Sequence, residues 1–181
     1  WGDGSNGKIG DGLTNTRSSP VSVVGGHLFF AVGAGSNHSV AIKTDGSVWS
    51  WGTNTSGRLG DNTTTDRSSP VSVVGAHSFI TVATVVMGTH SLALKADGSV
   101  WAWGINSNGR LGDNAIDSRS SPVSVVGAHS FSSITAGNFS AGRKADGTVW
   151  TWGLNTSGQL GDNTVYARSS PVSIVGAHSF R

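Results

Sequence analysis

The sequence DGSVWAWGINSNGRLGDN at residues 97–114 decides the fold, because the chain repeats it. Residues 45–62 read DGSVWSWGTNTSGRLGDN, and residues 146–163 read DGTVWTWGLNTSGQLGDN. A degenerate copy opens the chain at Trp1-Gly2 and runs on to Asp11, so that all seven Trp residues belong to these copies. Such self-similarity indicates a tandem repeat, in which the structure of one unit predicts that of the others.

A second string, RSSPVS followed by Val or Ile and then VG, completes each repeat. It starts at Arg17, Arg67, Arg119 and Arg168, and its prolines are the four of the chain, spaced 50, 52 and 49 residues apart. The chain is therefore a single repeat array of about three and a half units. We place the units at 1–50, 51–102, 103–151 and 152–181, the last one truncated.

Each unit contains the pattern of four short strands. Residues 90–95 and 100–103 form two short runs typical of strands, and Asp97-Gly98 lies between the two runs. Asp-Gly at this place predicts a hairpin turn whose two central residues both have positive φ. The RSSPVS string predicts a third strand that begins at its proline, on the outer edge of the sheet, because proline cannot donate to a strand ladder. Residues 79–83 and 131–135 predict a fourth.

Four antiparallel strands in about 50 residues are typical of one β-propeller blade. One such sheet cannot bury both faces alone, and therefore we expect the sheets to stack in series. Large aromatic side chains dominate contacts of this kind. The residues that we expect to pack the blades together are Trp49, Trp51, Trp101, Trp103, Trp150 and Trp152.

The composition agrees with an all-β chain and excludes several functional classes. Charged residues make up 12% of the chain, all ten acids are Asp, and Gly is abundant at 27 residues. The net charge is only +2 and the cations are scattered, so we expect no nucleic-acid surface. No apolar run approaches the ~18 residues of a membrane span. Cysteine is absent, which excludes disulfides and thiolate metal sites, and we expect no cofactor.

The six histidines invite a metal or a catalytic interpretation, which we do not favour. Four of them occupy one repeat position and should lie on successive sheets about 10 Å apart, too far to share one ion: His27, His77, His129 and His178. His38 and His90 precede Ser39 and Ser91, but they recur in the repeat, and Phe139 replaces the third copy. We therefore expect their imidazoles to bond the backbone of a neighbouring strand.

The repeated Asp-Asn pairs could suggest calcium. They stand at Asp61, Asp113 and Asp162, and their spacing does not follow the DxDxDG pattern of calcium loops. Asp and Asn side chains also bond nearby backbone groups in turns, and we expect these pairs to stabilise loops in that way. The Gly-rich loops lack a phosphate-binding motif as well.

The combined motif DGxVWxWGxNxxGxLGD, with a downstream PV and an AGxxHSxA(I/L)K string, resembles the regulator of chromosome condensation repeat. The likeness is strongest to bacterial members described as alpha-tubulin-suppressor-like. The resemblance covers the whole chain and implies a seven-bladed propeller, which would need roughly 350 residues at this repeat length. Family members include an exchange factor for a small nuclear GTPase, a plant ultraviolet photoreceptor, ubiquitin-ligase accessory domains and a secreted β-lactamase inhibitor. They share no active site, so the fold alone does not choose a function.

The chain departs from the family pattern in its length. It begins at Trp1 rather than Met, and three and a half units cannot close a ring, which leaves strand edges and sheet faces bare. We therefore expect a part of a longer chain or a homo-oligomer. The second unit also carries two extra residues near Thr84, Val85, Val86 and Met87.

We expect a non-catalytic scaffold that binds a protein partner or copies of itself. The alternatives are an enzyme inhibitor of the secreted type and an exchange factor for a small GTPase, and the expected location is extracellular or at the cell surface. Binding surfaces on repeat scaffolds lie in the loops that vary between units. In this chain those loops contain Thr63, Thr64, Thr65, Asp66, Ala115, Ile116, Asp117, Ser118, Thr164, Val165, Tyr166 and Ala167, with the insertion at Thr84 to Met87.

Overall fold

The protein forms three four-stranded antiparallel sheets in a computed structural model that describes residues 1–83 and 89–176. Sheet 1 contains β1 (Phe29–Ala34), β2 (His38–Lys43), β3 (Val48–Gly52) and β4 (Arg67–Ser72). Sheet 2 contains β5 (Thr81–Ala83), β6 (His90–Leu94), β7 (Val100–Gly104) and β8 (Arg119–Ser124). Sheet 3 contains β9 (Phe131–Ala136), β10 (Phe139–Lys144), β11 (Val149–Gly153) and β12 (Arg168–Ser173). Single 3-10 turns occur at Ser5–Gly7, Thr55–Gly57 and Ser107–Gly109.

The strands of each sheet are adjacent in chain order, and the three sheets follow one another in series. β1 contacts β5, and β5 contacts β9, so the first strands of successive sheets lie side by side. This confirms the predicted all-β array of four-stranded propeller blades in an incomplete ring. The sequence units are offset from the sheets, because their boundaries at 50/51, 102/103 and 151/152 fall inside β3, β7 and β11.

The Asp-Gly hairpins form where predicted, but their predicted turn type is wrong. Only the glycine has positive φ, for example +81° at Gly46, and the preceding Asp45 does not. The Gly46 N–H donates to the carbonyl of Lys43 at 2.9 Å, and the Lys43 N–H donates to the carbonyl of Ser47 at 3.0 Å. This is a three-residue loop, in which an ordinary turn is followed by one left-handed residue. The Asp45 carboxylate favours it by accepting the Ser47 N–H at 2.8 Å.

The proline strand lies at the sheet edge as predicted, but it begins three residues earlier, at Arg67. Pro70 is thus inside β4, beside an irregularity in the pairing of β3 with β4 between Ser50 and Gly52. A bulge leaves a strand residue outside the regular ladder, and so the missing N–H of proline costs no ladder bond there. The predicted fourth strand at 79–83 is shorter in the structure, because β5 begins at Thr81.

The hydrophobic core lies between the sheets and not within one sheet. Between sheets 1 and 2 it contains Val40, Ile42, Val48, Val73, Phe79, Ala93 and Trp103. Between sheets 2 and 3 it contains Leu92, Leu94, Val100, Ala102, Leu111, Val125, Phe131, Ala136 and Trp152. β6 is buried along its whole length because it has a sheet on either side. No helix among residues 1–83 and 89–176 is long and apolar enough to cross a membrane.

Candidate functional site

The loop between the third and fourth strands is built by one buried asparagine. The Asn106 side-chain oxygen accepts the N–H of Leu111 at 2.8 Å, and its amide nitrogen donates to Asp113 at 2.9 Å. Asn54 and Asn155 make the corresponding bonds in sheets 1 and 3. All three asparagines are fully buried. The NxxGxLGD motif therefore specifies one rigid loop shape three times, which we call the joint loop (54–62, 106–114 and 155–163).

The joint loops of sheets 1 and 2 each pack on the next sheet through two glycines. A Cβ at Gly109 would collide with the Cα of Ser169 in β12, and one at Gly112 would lie 2.8 Å from Nε1 of Trp152. Gly57 and Gly60 pack in the same way on sheet 2, against Ser120 and Trp103. These positions have positive φ as well, so that glycine is required both by the backbone and by the space.

Hydrogen bonds also connect each of these joint loops to the next sheet, and we call this contact between sheets a joint. The Asn62 N–H donates to the Ser120 carbonyl at 2.8 Å, and the Asn114 N–H donates to the Ser169 carbonyl at 2.8 Å. One carbonyl of the joint loop also accepts two donors from the next sheet. The Arg110 carbonyl receives the Ser140 hydroxyl at 2.8 Å and the Trp152 indole N–H at 3.0 Å.

The joint before sheet 1 uses the same contacts. Gly7 and Gly10 pack on Ser68 and Trp51, and the Lys8 carbonyl accepts Ser39 at 3.1 Å and Trp51 at 2.9 Å. The middle joint differs in one bond. The Arg58 carbonyl accepts Ser91 at 3.4 Å, whereas the Trp103 indole N–H has no partner within the described part of the chain.

His38 and His90 connect neighbouring sheets. The Nε2 atom of His38 lies 3.0 Å from the Ser91 hydroxyl, and Nε2 of His90 lies 2.8 Å from the Ser140 hydroxyl. The prediction that these imidazoles bond backbone is therefore wrong, since the partner is a side chain one repeat later. Burial, and then the charge of Arg58, lowers the pKa of His38 to about 4. Burial, Arg110 and His38 lower the pKa of His90 to about 3.

These His-Ser pairs do not have the geometry of a catalytic dyad. The Ser140 hydroxyl donates its hydrogen to the Arg110 carbonyl, so the serine accepts the hydrogen bond from His90. A nucleophilic serine instead gives its proton to the imidazole, which a carboxylate orients through Nδ1. In this structure, Nδ1 of His90 has no partner among the described residues, and the ring is fully buried. The pair therefore joins two sheets.

The other repeated histidines stack on the first tryptophan of each pair. The ring centroids of His27 and Trp49 are 4.2 Å apart, and those of His77 and Trp101 are 3.9 Å apart. His129 stacks on Trp150 in the same way at 4.2 Å. A lysine at the end of the second strand or directly after it approaches each indole, as Lys95 does Trp101 at 4.7 Å. Burial and the lysine charge lower the pKa of these three histidines. His178 lies outside the described residues.

The tryptophan pairs thus divide into two environments. Trp51, Trp103 and Trp152 are 5%, 0% and 0% exposed and lie against the joint loop of the preceding unit. Trp49, Trp101 and Trp150 are half-buried under histidine and lysine. Sequence reasoning emphasised the tryptophans and missed the asparagine and glycines of the joint loop. Their repeated NxxGxLG spacing was the signal that could have identified them.

The aspartates of the Asp-Asn pairs hold the base of each loop. Arg67, Arg119 and Arg168 approach Asp61, Asp113 and Asp162 at 2.9, 2.8 and 2.7 Å. Burial raises the pKa of the Asp162 carboxyl, but hydrogen bonds from Thr164, Arg168 and Asn155 outweigh it and lower that pKa to about 2. These carboxylate oxygens already accept N–H and O–H donors, whereas calcium needs several free oxygens. Within residues 1–83 and 89–176, no three His, Cys, Asp or Glu residues form a metal-binding group.

The variable loops lie between the joint loop and the fourth strand of each sheet, at 63–66, 115–118 and 164–167. We call them the loop row. Their tips are exposed and differ in chemistry: Thr64, Thr65, Ile116, Asp117, Val165 and Tyr166. Thr63, Ala115 and Thr164 are half-buried beneath the tips. The Asp66 carboxylate already accepts hydrogen bonds from the Asn54 N–H and from the Asn6 side-chain amide. Thr84 to Met87 lie outside the described residues.

Solved structures with similar folds are propellers of this type. Yeast RCC1 (Prp20) bound to Kap60 superposes with a TM-score of 0.80 at 20% identity, over 98% of this chain and 44% of that chain. Human WBSCR16 gives a TM-score of 0.78 at 22% identity, over 94% of this chain and 46% of that chain. At these identities the likeness shows the fold alone.

Sequence relatives include two proteins with much longer chains. The ultraviolet-B receptor UVR8 of Arabidopsis thaliana is 32% identical over 115 residues, which are 62% of this chain and 26% of the receptor. The human E3 ubiquitin-protein ligase HERC2 is 30% identical over 124 residues, which are 67% of this chain and 3% of the ligase. The chain thus spans a small part of either relative.

A sequence model of the regulator of chromosome condensation (RCC1) repeat matches residues 45–94, 97–141 and 146–180. A second model with the same description matches residues 31–58 and 132–159. These matches include the tryptophan motif, the joint loops and the proline strands described above, and they cover more than half of the chain. The chain therefore belongs to the regulator of chromosome condensation (RCC1) repeat family.

Proposed function

We propose that this chain is a non-catalytic scaffold that binds a protein partner through the loop row. One observation carries the proposal: the three loops share a fixed base and differ at exposed tips. Asp61, Asp113 and Asp162 hold the bases with the same arginine and asparagine partners. The tips carry Thr64, Ile116 and Val165, of which Ile116 is 69% and Val165 58% exposed. Rigid loops with variable tips are where repeat scaffolds bind.

The similar structures support a protein partner as the class of ligand. Prp20p of Saccharomyces cerevisiae is described by its binding to Gsp1p and histones, and yeast RCC1 is seen bound to Kap60. Those partners belong to those proteins and are not assigned to this chain. An inhibitor of an enzyme and an exchange factor for a GTPase are two narrower forms of the same proposal, since each would hold one protein partner.

Site-specific crosslinking tests the loop row. A photoreactive residue is placed at Thr64 or Ile116 in the loop row, or at Thr44 or Ala96 as matched controls. The control positions are exposed too, but they lie in the hairpins at the opposite end of the strands. Cells and culture medium of the source organism are exposed to each variant separately, which also tests the proposed extracellular location.

We expect one protein to crosslink at positions 64 and 116 and not at 44 or 96. The Ile116→Ser variant should then bind the purified partner at least about tenfold more weakly, because the exposed apolar tip would be an anchor of the interface. Crosslinks to that partner only from the hairpin positions, or unchanged affinity of both Ile116→Ser and Thr64→Ala, would refute the role of the loop row.

A further inference from the structure

The joint loop of sheet 1 holds a carboxylate of its own chain against a buried backbone N–H. The Asp66 carboxylate accepts the N–H of Asn54 at 2.7 Å and also the side-chain amide of Asn6. Its charge acts on Arg58, a side chain only 5% exposed. Burial lowers the pKa of Arg58, and the charge of Asp66 opposes this shift. Sheet 1 therefore supplies one negative charge to a buried N–H and to a buried guanidinium.

Sheet 2 repeats the buried N–H without the carboxylate. Asn106 occupies the repeat position of Asn54, and the two residues have the same backbone conformation, with φ of −117° and −116°. Ser118 stands where sheet 1 has Asp66. Asn106 is fully buried, yet its N–H donates to no atom of the described residues. Buried N–H groups in folded proteins nearly always have an acceptor.

Arg110 in sheet 2 lacks a negative partner as well. It is 8% exposed, and its guanidinium donates to the Ser107 carbonyl at 3.0 Å and to the Thr89 hydroxyl at 2.6 Å. Both acceptors are uncharged. Burial lowers the pKa of Arg110, and no charge of the described residues opposes this shift.

The chain brings no carboxylate of its own to this place. Asp117 precedes Ser118 in the sequence, but it is exposed and forms no ion pair with Arg110. Residues 84–88 and 177–181, which lie outside the described part of the chain, contain no acid. A buried guanidinium without a negative partner lowers stability, and so does a buried N–H without an acceptor. A bound anion would relieve both.

We propose that Asn106, Arg110 and Ser118 form a site that binds a carboxylate group from outside the chain, and we call it the carboxylate site. The ligand accepts the Asn106 N–H in the way that Asp66 accepts the corresponding N–H of sheet 1. It faces the Arg110 guanidinium, and hydrogen bonds between charged groups are stronger than those between neutral groups. The Ser118 side chain is shorter than that of Asp and is exposed, so the site is accessible from solvent.

The repeat itself specifies the ligand class. A carboxylate fills the corresponding place in sheet 1, and therefore the same loop shape accepts this group. Sheet 3 has Gln159 and Ala167 at the positions of Arg110 and Ser118, so its loop has no positive charge that requires an anion. The inference goes beyond the proposed function, since the carboxylate site is complete within one chain and its test needs no protein partner.

Reciprocal variants test the carboxylate site. Ser118→Asp places a carboxylate where Asp66 has one, so it should block the site and raise the melting temperature. Arg110→Gln removes the charge, and Gln159 shows that the same loop accommodates glutamine. Asp66→Ser should create a second site at the N–H of Asn54. Circular dichroism and thermal melting verify that each variant folds.

A titration with sodium acetate, followed by NMR at pH 7 and constant ionic strength, measures binding at the Asn106 amide. We expect a saturable downfield shift of the amide proton with a dissociation constant of about 10 mM. Acetamide, which has a similar shape and no charge, should cause no such shift. Ser118→Asp should abolish the shift, and Arg110→Gln should weaken binding at least about tenfold. Asp66→Ser should add a similar shift at the Asn54 amide.

A second ligand identifies the source of the carboxylate. N-acetyl-aspartic acid methylamide carries the carboxylate as a side chain between two peptide groups. Binding as tight as that of acetate supports an acidic side chain of another protein as the natural ligand. Binding of acetate alone supports a small free carboxylate.

An Asn106 amide that does not respond to acetate at concentrations up to about 200 mM overturns the inference. So does a shift that acetamide reproduces, or binding that is unchanged in both Ser118→Asp and Arg110→Gln. These outcomes leave the loop-row crosslinks unaffected, because the carboxylate site uses neither Thr64 nor Ile116. Conversely, a chain that yields no crosslinks can still be titrated with acetate, so failure of one proposal is distinguishable from failure of the other.

Discussion

His38 and His90 show how the residue scale contributes to this fold. Each imidazole is fully buried and forms a hydrogen bond with a serine hydroxyl of the next sheet. The ring is therefore neutral near pH 7, because burial disfavours its charged form and the charges of Arg58 and Arg110 oppose a positive charge on it. Buried histidines of this kind link the stability of the fold to pH.

Acid should weaken the fold well before its carboxylates titrate. The folded pKa values of His38 and His90, about 4 and about 3, lie below the usual 6.5, so the unfolded chain binds more protons between these values. The free energy of unfolding should therefore decrease as pH falls from about 6.5 toward 4. We expect a loss on the order of 2 kcal/mol per histidine between pH 7 and 4.5. Denaturant titrations at several pH values measure it.

The matched variants separate the buried histidines from the stacked ones. His38→Gln with His90→Gln should flatten the decrease between pH 6.5 and 4.5, whatever its effect at pH 7. The control variant His77→Gln removes a partly exposed ring that stacks on Trp101. It should change the slope of the unfolding free energy against pH less than the double variant does. An unchanged slope in the double variant would show that the buried imidazoles are not the source.

The two tryptophans of a pair should differ in their contribution to stability. Trp103 is fully buried between sheets 1 and 2, whereas Trp101 is half-buried beneath His77 and Lys95. We expect Trp103→Ala to cost about 3–5 kcal/mol of unfolding free energy, and Trp101→Ala clearly less. Urea unfolding compares the two, and equal stability of both variants and the parent chain would contradict the packing role of these indoles.

At the element scale, the joint loop and not the strand is the distinctive part of the repeat. Its buried asparagine fixes the loop, its glycines admit the next sheet, and its carbonyl accepts donors from that sheet. The positive φ favours glycine in every copy of the joint loop. Where another sheet packs on the loop, the lack of space for a Cβ is a second reason for glycine. Among the described residues, no further sheet packs on the glycines of the third copy, so this copy can serve as an internal reference.

Gly109→Ala and Gly158→Ala should therefore lower the free energy of unfolding by different amounts, although both residues occupy the same position of the motif. Their φ values are +74° and +72°, so the backbone strain of an alanine is about 1 kcal/mol in both. At Gly109 the methyl group also collides with the backbone of Ser169. We expect Gly109→Ala to lose at least about 2 kcal/mol more than Gly158→Ala, measured by chemical denaturation. Equal losses would mean that the joint relaxes without cost.

Sequence reasoning found the strands more readily than their connections. Short apolar runs on either side of the Asp-Gly pair mark His90–Leu94 and Val100–Gly104 as strands. The Asp-Gly pair predicted a hairpin correctly but not its loop length, since a two-residue and a three-residue loop both need a left-handed glycine. The bulge that accommodates Pro70 depends on pairing with β3, which local sequence does not contain.

The candidate site was only partly visible in the sequence for a similar reason. The loop row follows from comparing repeats, since tips that vary stand out against fixed neighbours. The His90–Ser140 contact joins residues 50 positions apart, and only stacking of the sheets brings them together. Sequence reasoning identified the tryptophans and missed the glycines for a physical reason. A glycine contributes by leaving space for a neighbouring residue, here Ser169 or Trp152.

At the scale of the whole molecule, the contacts between sheets join successive sheets of the array. β1 contacts β5 and β5 contacts β9, and the two core clusters each join one pair of sheets. Stability in such an array is approximately a sum of sheet terms and joint terms. Sheet 2 is covered on both sides and should be the last to exchange its amide hydrogens with water.

Weakening a single joint should release one sheet and leave the other two protected. Gly57→Ala acts on the joint between sheets 1 and 2, whereas Gly109→Ala acts on the joint between sheets 2 and 3. Hydrogen exchange should accelerate in β1–β4 for the first variant and in β9–β12 for the second. Uniform acceleration throughout the chain in both variants would indicate that the array unfolds as one cooperative unit.

The near-identity of the three joints has a consequence for how the chain finds its structure. Any joint loop offers a surface that fits any later sheet, because Ser68, Ser120 and Ser169 present the same backbone to Gly7, Gly57 and Gly109. Shape complementarity therefore does not distinguish a correct neighbour from a sheet two places along. The short connections between sheets make the correct neighbour the nearest one, so synthesis from the ribosome, one unit at a time, favours the native order over skipped pairings.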